Sequence, residues 1–92
     1  MIKSFRHKGI ERFFVSGSKV GIQAQQEKRL RLILGRLNAG RKPEDMNLPG
    51  LRLHQLQGRL RGYWAVDVTG NWRLIFRFED DGVFDVDLID YH

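Results

Sequence analysis

The stretch "NWRLIFRFEDDGVFDVDLID", residues 71–90, decides the fold. Trp72, Leu74, Phe76 and Phe78 recur at every second position, with Arg73, Ile75 and Arg77 between them. A period of two marks a strand with one buried face, because successive strand side chains point to opposite sides. "EDDG" is a hairpin turn signal. Beyond it Phe84, Val86 and Leu88 alternate with Asp85 and Asp87, which predicts a strand returning antiparallel. Upstream, "YWAVDV" sets Trp64, Val66 and Val68 against Tyr63, Ala65 and Asp67, and "TGN" supplies a tight connection. Three strands joined in this way form an antiparallel meander. "LRLHQLQ" predicts a further short strand, with Arg52, His54 and Leu56 on one side.

The period changes N-terminal to Leu51. Leu30, Ile33, Leu34 and Leu37 fall at i, i+3, i+4 and i+7, predicting a helix over about Gln23 to Ala39 that ends at a C-cap Gly40. Ile10, Phe13 and Phe14 predict a shorter helix stopped by Gly17, and "MIKSFRH" reads as a short edge strand. "RKPEDMNLPG" is a loop bracketed by Pro43 and the Pro49-Gly50 turn. The apolar rows of the meander need a cover, and two helices are available to give it. The expectation is an α+β fold in one domain over residues 1–92, with both helices on one sheet face and the other face open and polar. On the row of Val86 and Leu88, Asp90 would be costly unless the strand ends or bulges there and turns it outward.

Composition narrows the function. Of 92 residues, 41% are hydrophobic and none is cysteine, which fits a folded globule without disulfides or a cysteine-based zinc site. No apolar run approaches a membrane span or a signal-peptide core, so the cytoplasm is the expected compartment and no membrane partner is expected. The net charge of +5 is unevenly spread. Residues 1–62 carry 14 Lys/Arg against 4 Asp/Glu, whereas residues 63–92 carry 2 against 7. Such a basic segment is drawn to polyanions, since each neutralised phosphate releases counterions; solvated helix faces rich in Lys28, Arg29, Arg31 and Arg36 are the plainer explanation.

Few residues can do chemistry. The histidines are His7, His54 and His92. If His54 and His92 border the same open face, Arg73 lies between two groups that exchange protons near neutral pH. That set suits phosphoryl transfer on RNA: the 2′-OH loses a proton, the 5′-oxygen gains one and a cation meets the developing charge, with no cofactor needed. Spacing alone does not bring the three together. Arg73 can equally pair with Asp67 or Asp87, and Tyr91 can pack on the core or stack on a base. His54, His92 and Asp90 would also make a two-His, one-carboxylate metal set, but no short-spaced His pair nucleates it. Dinucleotide, P-loop and nucleophile-elbow motifs are absent.

"MIKSF-HKG" at the start, "LH-L-G" at Leu53 to Gly58, "GYW" at Gly62, "NWRL-F-F" at Asn71 and the terminal "DYH" together resemble the HigB host-inhibition toxins of type II toxin–antitoxin modules, within the RelE superfamily. The resemblance runs over the whole chain and is most specific in "NWR" and "DYH". It implies a ribosome-dependent endoribonuclease that cuts messenger RNA in the decoding site without a metal or other cofactor. It also implies a HigA-type helix-turn-helix antitoxin, and contact with operator DNA only through the toxin–antitoxin complex. Residue by residue, it places function on His54, Asn71, Arg73, Asp90, Tyr91 and His92: His54, Asp90 and His92 for protons or the 2′-OH, Arg73 for the scissile phosphate, and Tyr91 for positioning RNA. Where the family often has a rim lysine this chain has Gln57, and Arg59 or Arg61 is expected to supply the missing charge. A non-catalytic RNA- or DNA-binding module, or an inactive relative that still binds its antitoxin, is the alternative.

Overall fold

The computed structural model describes residues 1–91. Helix α1 spans Lys8–Ser16 and α2 spans Glu27–Ala39. Strands β1 (His54–Gln55), β2 (Trp64–Thr69), β3 (Trp72–Glu79) and β4 (Gly82–Asp90) form one antiparallel sheet in the order β1-β2-β3-β4. The expected α+β architecture, with helices on one sheet face, is what forms. The core joins Ile10 and Phe13 of α1 and Leu30, Ile33, Leu34 and Leu37 of α2 to Val66, Val68, Leu74, Phe76, Val83 and Val86 of the sheet.

Local chemistry sets each helix end. His7 caps α1, its Nδ1 accepting the Ile10 N–H at 3.0 Å, so this histidine has a structural role. Gly17 ends α1 at φ +79, a left-handed conformation open to glycine at little cost. Gly40 also ends its helix, but at φ −75 in extended backbone, unlike a left-handed cap. A Cβ there would lie 3.4 Å from the Arg36 carbonyl oxygen and from Asp45 Cβ, a close contact at the edge of the ordinary range. The second helix opens as a short 3-10 turn, Ala24–Gln26, before α2 proper. Gln26 is buried and its Nε2 donates to Thr69 Oγ1 at 2.9 Å, tying the start of α2 to the end of β2.

Two sequence expectations need correcting, and the expected N-terminal edge segment takes a definite place. Phe84 does not join Val86 and Leu88 in the core row. Ile75 pairs with Asp87 but Arg77 pairs with Phe84, so a bulge interrupts β4, and Asp85 takes φ +57. The extra residue reverses the alternation: Val83 enters the core and Phe84 moves to the face of Arg77. The second sheet face is not simply open and polar either. Leu56, Ala65 and Ile75 are buried there, with Leu60, Tyr63 and Ile89 packed around them. Finally, the N-terminal segment pairs parallel to β4, through bridges Ile2 to Val83 and Phe5 to Val86, so it covers β4's outer edge. No described helix is long and apolar enough to cross a membrane.

Two carboxylates sit below their ordinary titration range. Glu27 is held there first by its hydrogen bond from Arg31, and Asp45 by the backbone N–H groups of Arg41 and Lys42. A depressed carboxyl contributes stability that is full above the unfolded value and is lost as pH falls through the folded one. Asp45→Asn should therefore lower stability near neutral pH and flatten its loss on acidification; urea titrations giving the wild-type acid slope would contradict this. Phe76→Ala, removing the largest fully buried side chain, should cost about 3–5 kcal/mol in the same assay, whereas exposed Val15→Ala should change little.

Candidate functional site

The register of the sheet fixes where each candidate residue lies. His54 pairs with Ala65, and Ala65 with Ile75, while Asp67 pairs with Arg73 and Arg73 with Ile89. Residues directly opposite share a face, so His54, Asp67 and Arg73 all stand on the face away from the helices. They are not adjacent. Two strand spacings and one two-residue step separate His54 from Arg73, roughly 10 Å across the sheet and 7 Å along it.

The candidates form two groups at opposite ends of β2. At one end, Asn71 lies in the β2–β3 turn, and its carbonyl accepts the Tyr91 N–H at 2.8 Å. Asp90 pairs with Trp72 as the last, exposed residue of β4, and the Tyr91 side chain is 47% exposed. Asp90 is exposed at the strand end, but it stands opposite Trp72 on the helix-facing row, whereas Ile89 stands opposite Arg73. This end of the sheet therefore holds Asn71, Arg73, Asp90 and Tyr91, with Asp90 and Arg73 in register positions of opposite faces. At the other end, β1 leaves toward the 3-10 turn Gly58–Leu60, where Gln57, Arg59 and Arg61 are exposed. That turn lies beside Trp64, at the far end of β2 from the Arg73 row. Arg59 and Arg61 are consequently placed near Gln57 and away from Arg73. His92 lies outside the described residues.

Arg73 is held on several sides. Its Nε is 2.9 Å from Asp67 Oδ1, an ion pair without hydrogen-bond alignment, and its Nη1 donates to the carbonyls of Gly70 at 2.9 Å and Trp72 at 3.2 Å. Its side chain is only 13% exposed. Of the two partners left open by the sequence, Asp67 is the one used; Asp87 instead accepts the Leu88 N–H. The other strand arginine, Arg77, is engaged by Asp85 and Glu79, whose hydrogen bonds hold its guanidinium above its ordinary range.

The structure adds residues missing from the sequence-derived site. Asp67 Oδ2 also receives Arg52 Nη1 at 3.2 Å, so one carboxylate bridges two guanidiniums. Arg29 of α2 reinforces the same place from the helix side, donating to the Asp67 carbonyl at 3.2 Å and to the Gly50 carbonyl at 2.6 Å. It belongs to the scaffold more than to a solvated basic face. The Arg52 carbonyl lies 2.7 Å from His54 Nδ1. A carbonyl can only accept, so Nδ1 carries the proton, and in the neutral imidazole Nε2 is the acceptor. His54 is therefore built to take a proton at Nε2.

Among the described residues, no group of three His, Cys, Asp or Glu side chains could hold a metal ion. A cavity of about 570 Å³ lies between the N-terminus, the end of α2 and the β3–β4 turn, away from His54 and Arg73.

Comparison with known proteins is consistent with this geometry. Residues 3–92 match the family of RelE-like toxins of the type II toxin–antitoxin system HigB. The chain is also 35% identical over 92 residues, covering 100% of both sequences, to a Proteus vulgaris protein named Endoribonuclease HigB. A match over nearly every residue, joined to a helix-on-sheet fold, places this chain in the HigB-like toxin family of type II toxin–antitoxin systems.

Proposed function

We propose that this protein is an endoribonuclease toxin that cleaves messenger RNA in the ribosomal A site. The observation that carries the reading is the shared sheet face of His54 and Arg73, with Asp90 and Tyr91 at the end of the adjoining strand. The similarity to a protein named as an endoribonuclease supports it. The chemistry is an attack of the ribose 2′-oxygen on the adjacent phosphorus. An O2′–P bond forms and the P–O5′ bond breaks, leaving a 2′,3′-cyclic phosphate and a 5′-hydroxyl. The reaction needs only a base at the 2′-OH, an acid at the 5′-oxygen and a cation beside the phosphorane.

His54 Nε2 and the terminal His92 are the proton-handling groups in this proposal, with His92 the more important. Asp90 orients the 2′-OH, Tyr91 offers a ring to an unstacked base, and Arg73 neutralises the phosphate. Asn71 and Gln57 contact the RNA, with Arg59 and Arg61 adding charge beside Gln57. In this reading the ribosome presents the codon in a fixed geometry and so supplies the positioning of the substrate. An antitoxin partner follows from the toxin–antitoxin family, and we assign it to the HigA type, with operator DNA reached only through that complex.

Induced expression should arrest bacterial growth, and Arg73→Ala or deletion of His92 should abolish the arrest. In a reconstituted translating system, His54→Ala and Arg73→Ala should each lower single-turnover cleavage by about 10²-fold or more. Circular dichroism should confirm that each variant is folded. Equal toxicity of Arg73→Ala and the His92 deletion would overturn the site; binding to ribosomes without any cleavage by the wild type would favour the inactive-relative alternative. Gln57→Lys should increase cleavage, and an unchanged rate would remove the idea that the glutamine weakens the site.

A further inference from the structure

We propose that Arg52 is a phosphodiester-binding residue, joined to Arg73 through Asp67 and to His54 through its own carbonyl. The proposal rests on the ribonuclease reading above and concerns a residue outside the set that the family resemblance implied.

The first observation is the backbone. Arg52 has φ +53, and among the described residues the other non-glycine ones with positive φ are Asp80 and Asp85. Those two are aspartates in a turn and at a bulge, where the short polar side chain tolerates this region; arginine has no such advantage. The cause is an offset in the sheet. The Leu51 carbonyl accepts the Asp67 N–H at 2.8 Å, yet three residues later His54 pairs with Ala65, only two residues back from Asp67. Arg52 and Leu53 together oppose Val66, which makes a bulge with its first residue left-handed. Glycine is usual at that place, and bulges beside active sites re-aim side chains. An arginine kept there at a conformational cost calls for a reason.

The ion pair with Asp67 does not provide one. The Arg52 side chain is 72% exposed, and a contact of that kind contributes little to stability. What the conformation achieves is placement. It aims the carbonyl at His54 Nδ1 and the guanidinium at Asp67, so one residue spans the gap between the two halves of the site.

The second observation is the contrast between the two arginines on Asp67. Arg73 is 13% exposed, with Nε on Asp67 and Nη1 on two carbonyls, so much of its fork is already engaged. Arg52 meets Asp67 through Nη1 while its fork stays open to solvent. A phosphodiester approaching this face therefore meets Arg52 first, in a geometry suited to paired N–H donation. Asp67 keeps the two cations side by side by offsetting their repulsion. Asp67 is accordingly a positioning residue, and Arg52 a substrate-binding one.

The test uses ribosomes programmed with mRNA whose A-site codon has 2′-deoxy sugars, so that binding is read without cleavage. Arg52→Asn removes the charge while keeping a residue that tolerates positive φ, and Arg52→Gly serves if the first variant folds poorly. Either should weaken binding by about tenfold and flatten the dependence of log K on log salt by about 0.7, the value for one lost phosphate contact on a single strand. Arg52→Lys should restore the salt slope but not the full affinity. The 15N signature of His54 protonated at Nδ1 should persist in Arg52→Asn, showing that the backbone contact is kept. Wild-type affinity and salt slope in Arg52→Asn or Arg52→Gly would overturn the proposal. Cleavage of all-ribose mRNA by the wild-type protein separates the two levels: cleavage with an unchanged Arg52 slope sinks this inference alone, whereas no cleavage with a flattened slope sinks the ribonuclease reading and leaves Arg52 as a phosphate contact.

Discussion

A strand paired on both edges has no freedom to choose which side chains it buries, and β3, like β2, is such a strand here. Its ladders to β2 and β4 lock the register, and Leu74 and Phe76 must then enter the core beneath the two helices. The same lock sends Arg73, Ile75 and Arg77 to the opposite face. A shift of one residue would exchange the core for the site. Burial of the apolar row is thus also what sets Arg73 beside Asp67, and the candidate chemistry draws its positional accuracy from hydrophobic packing. The N-terminal segment covers the outer edge of β4, and the two ladders of β3 each carry one register shift, at Asp67 to Thr69 with β2 and at Ile75 to Arg77 with β4.

On the exposed face, electrostatics takes over from packing. Asp67 is the common partner of Arg52 and Arg73, and Arg29 secures its carbonyl from the helix side. Removing a carboxylate from between two guanidiniums leaves like charges facing one another, a larger penalty than losing an isolated surface pair. The arrangement keeps a local excess of positive charge on a face that otherwise carries Asp85 and Asp87.

Much of the fold could be read from alternation alone. The apolar rows of β2 and β3, the stripe of α2 and the glycine stop of α1 all follow from side-chain period and backbone freedom, and they formed as expected. Phe84 was misplaced because a bulge reverses parity, and nothing in "DDGVFDVD" marks Asp85 as the extra residue beyond its tolerance of positive φ. The small cluster of Leu56, Ala65 and Ile75 was overlooked because its members are spread over β2, β3 and the residue following β1, each an apolar residue among polar neighbours on that face. For the site, Asp67 was visible as a possible partner of Arg73. Arg52 was visible on the side of His54, but its role depends on a left-handed backbone and an offset pairing that no local pattern announces. The grouping of candidates at two ends of β2 likewise comes from register and not from sequence distance.

The central claim is that this surface directs a ribosome-positioned attack of a 2′-hydroxyl on the neighbouring phosphate. Mapping the ends of cellular mRNA fragments at single-nucleotide resolution shortly after induction tests it most directly. The account predicts fragments with 5′-hydroxyl and 2′,3′-cyclic phosphate ends, cut within A-site codons in reading frame, and vanishing when translation initiation is blocked. Fragments with 5′-phosphate ends, or cuts that ignore the reading frame and persist without translation, would contradict it.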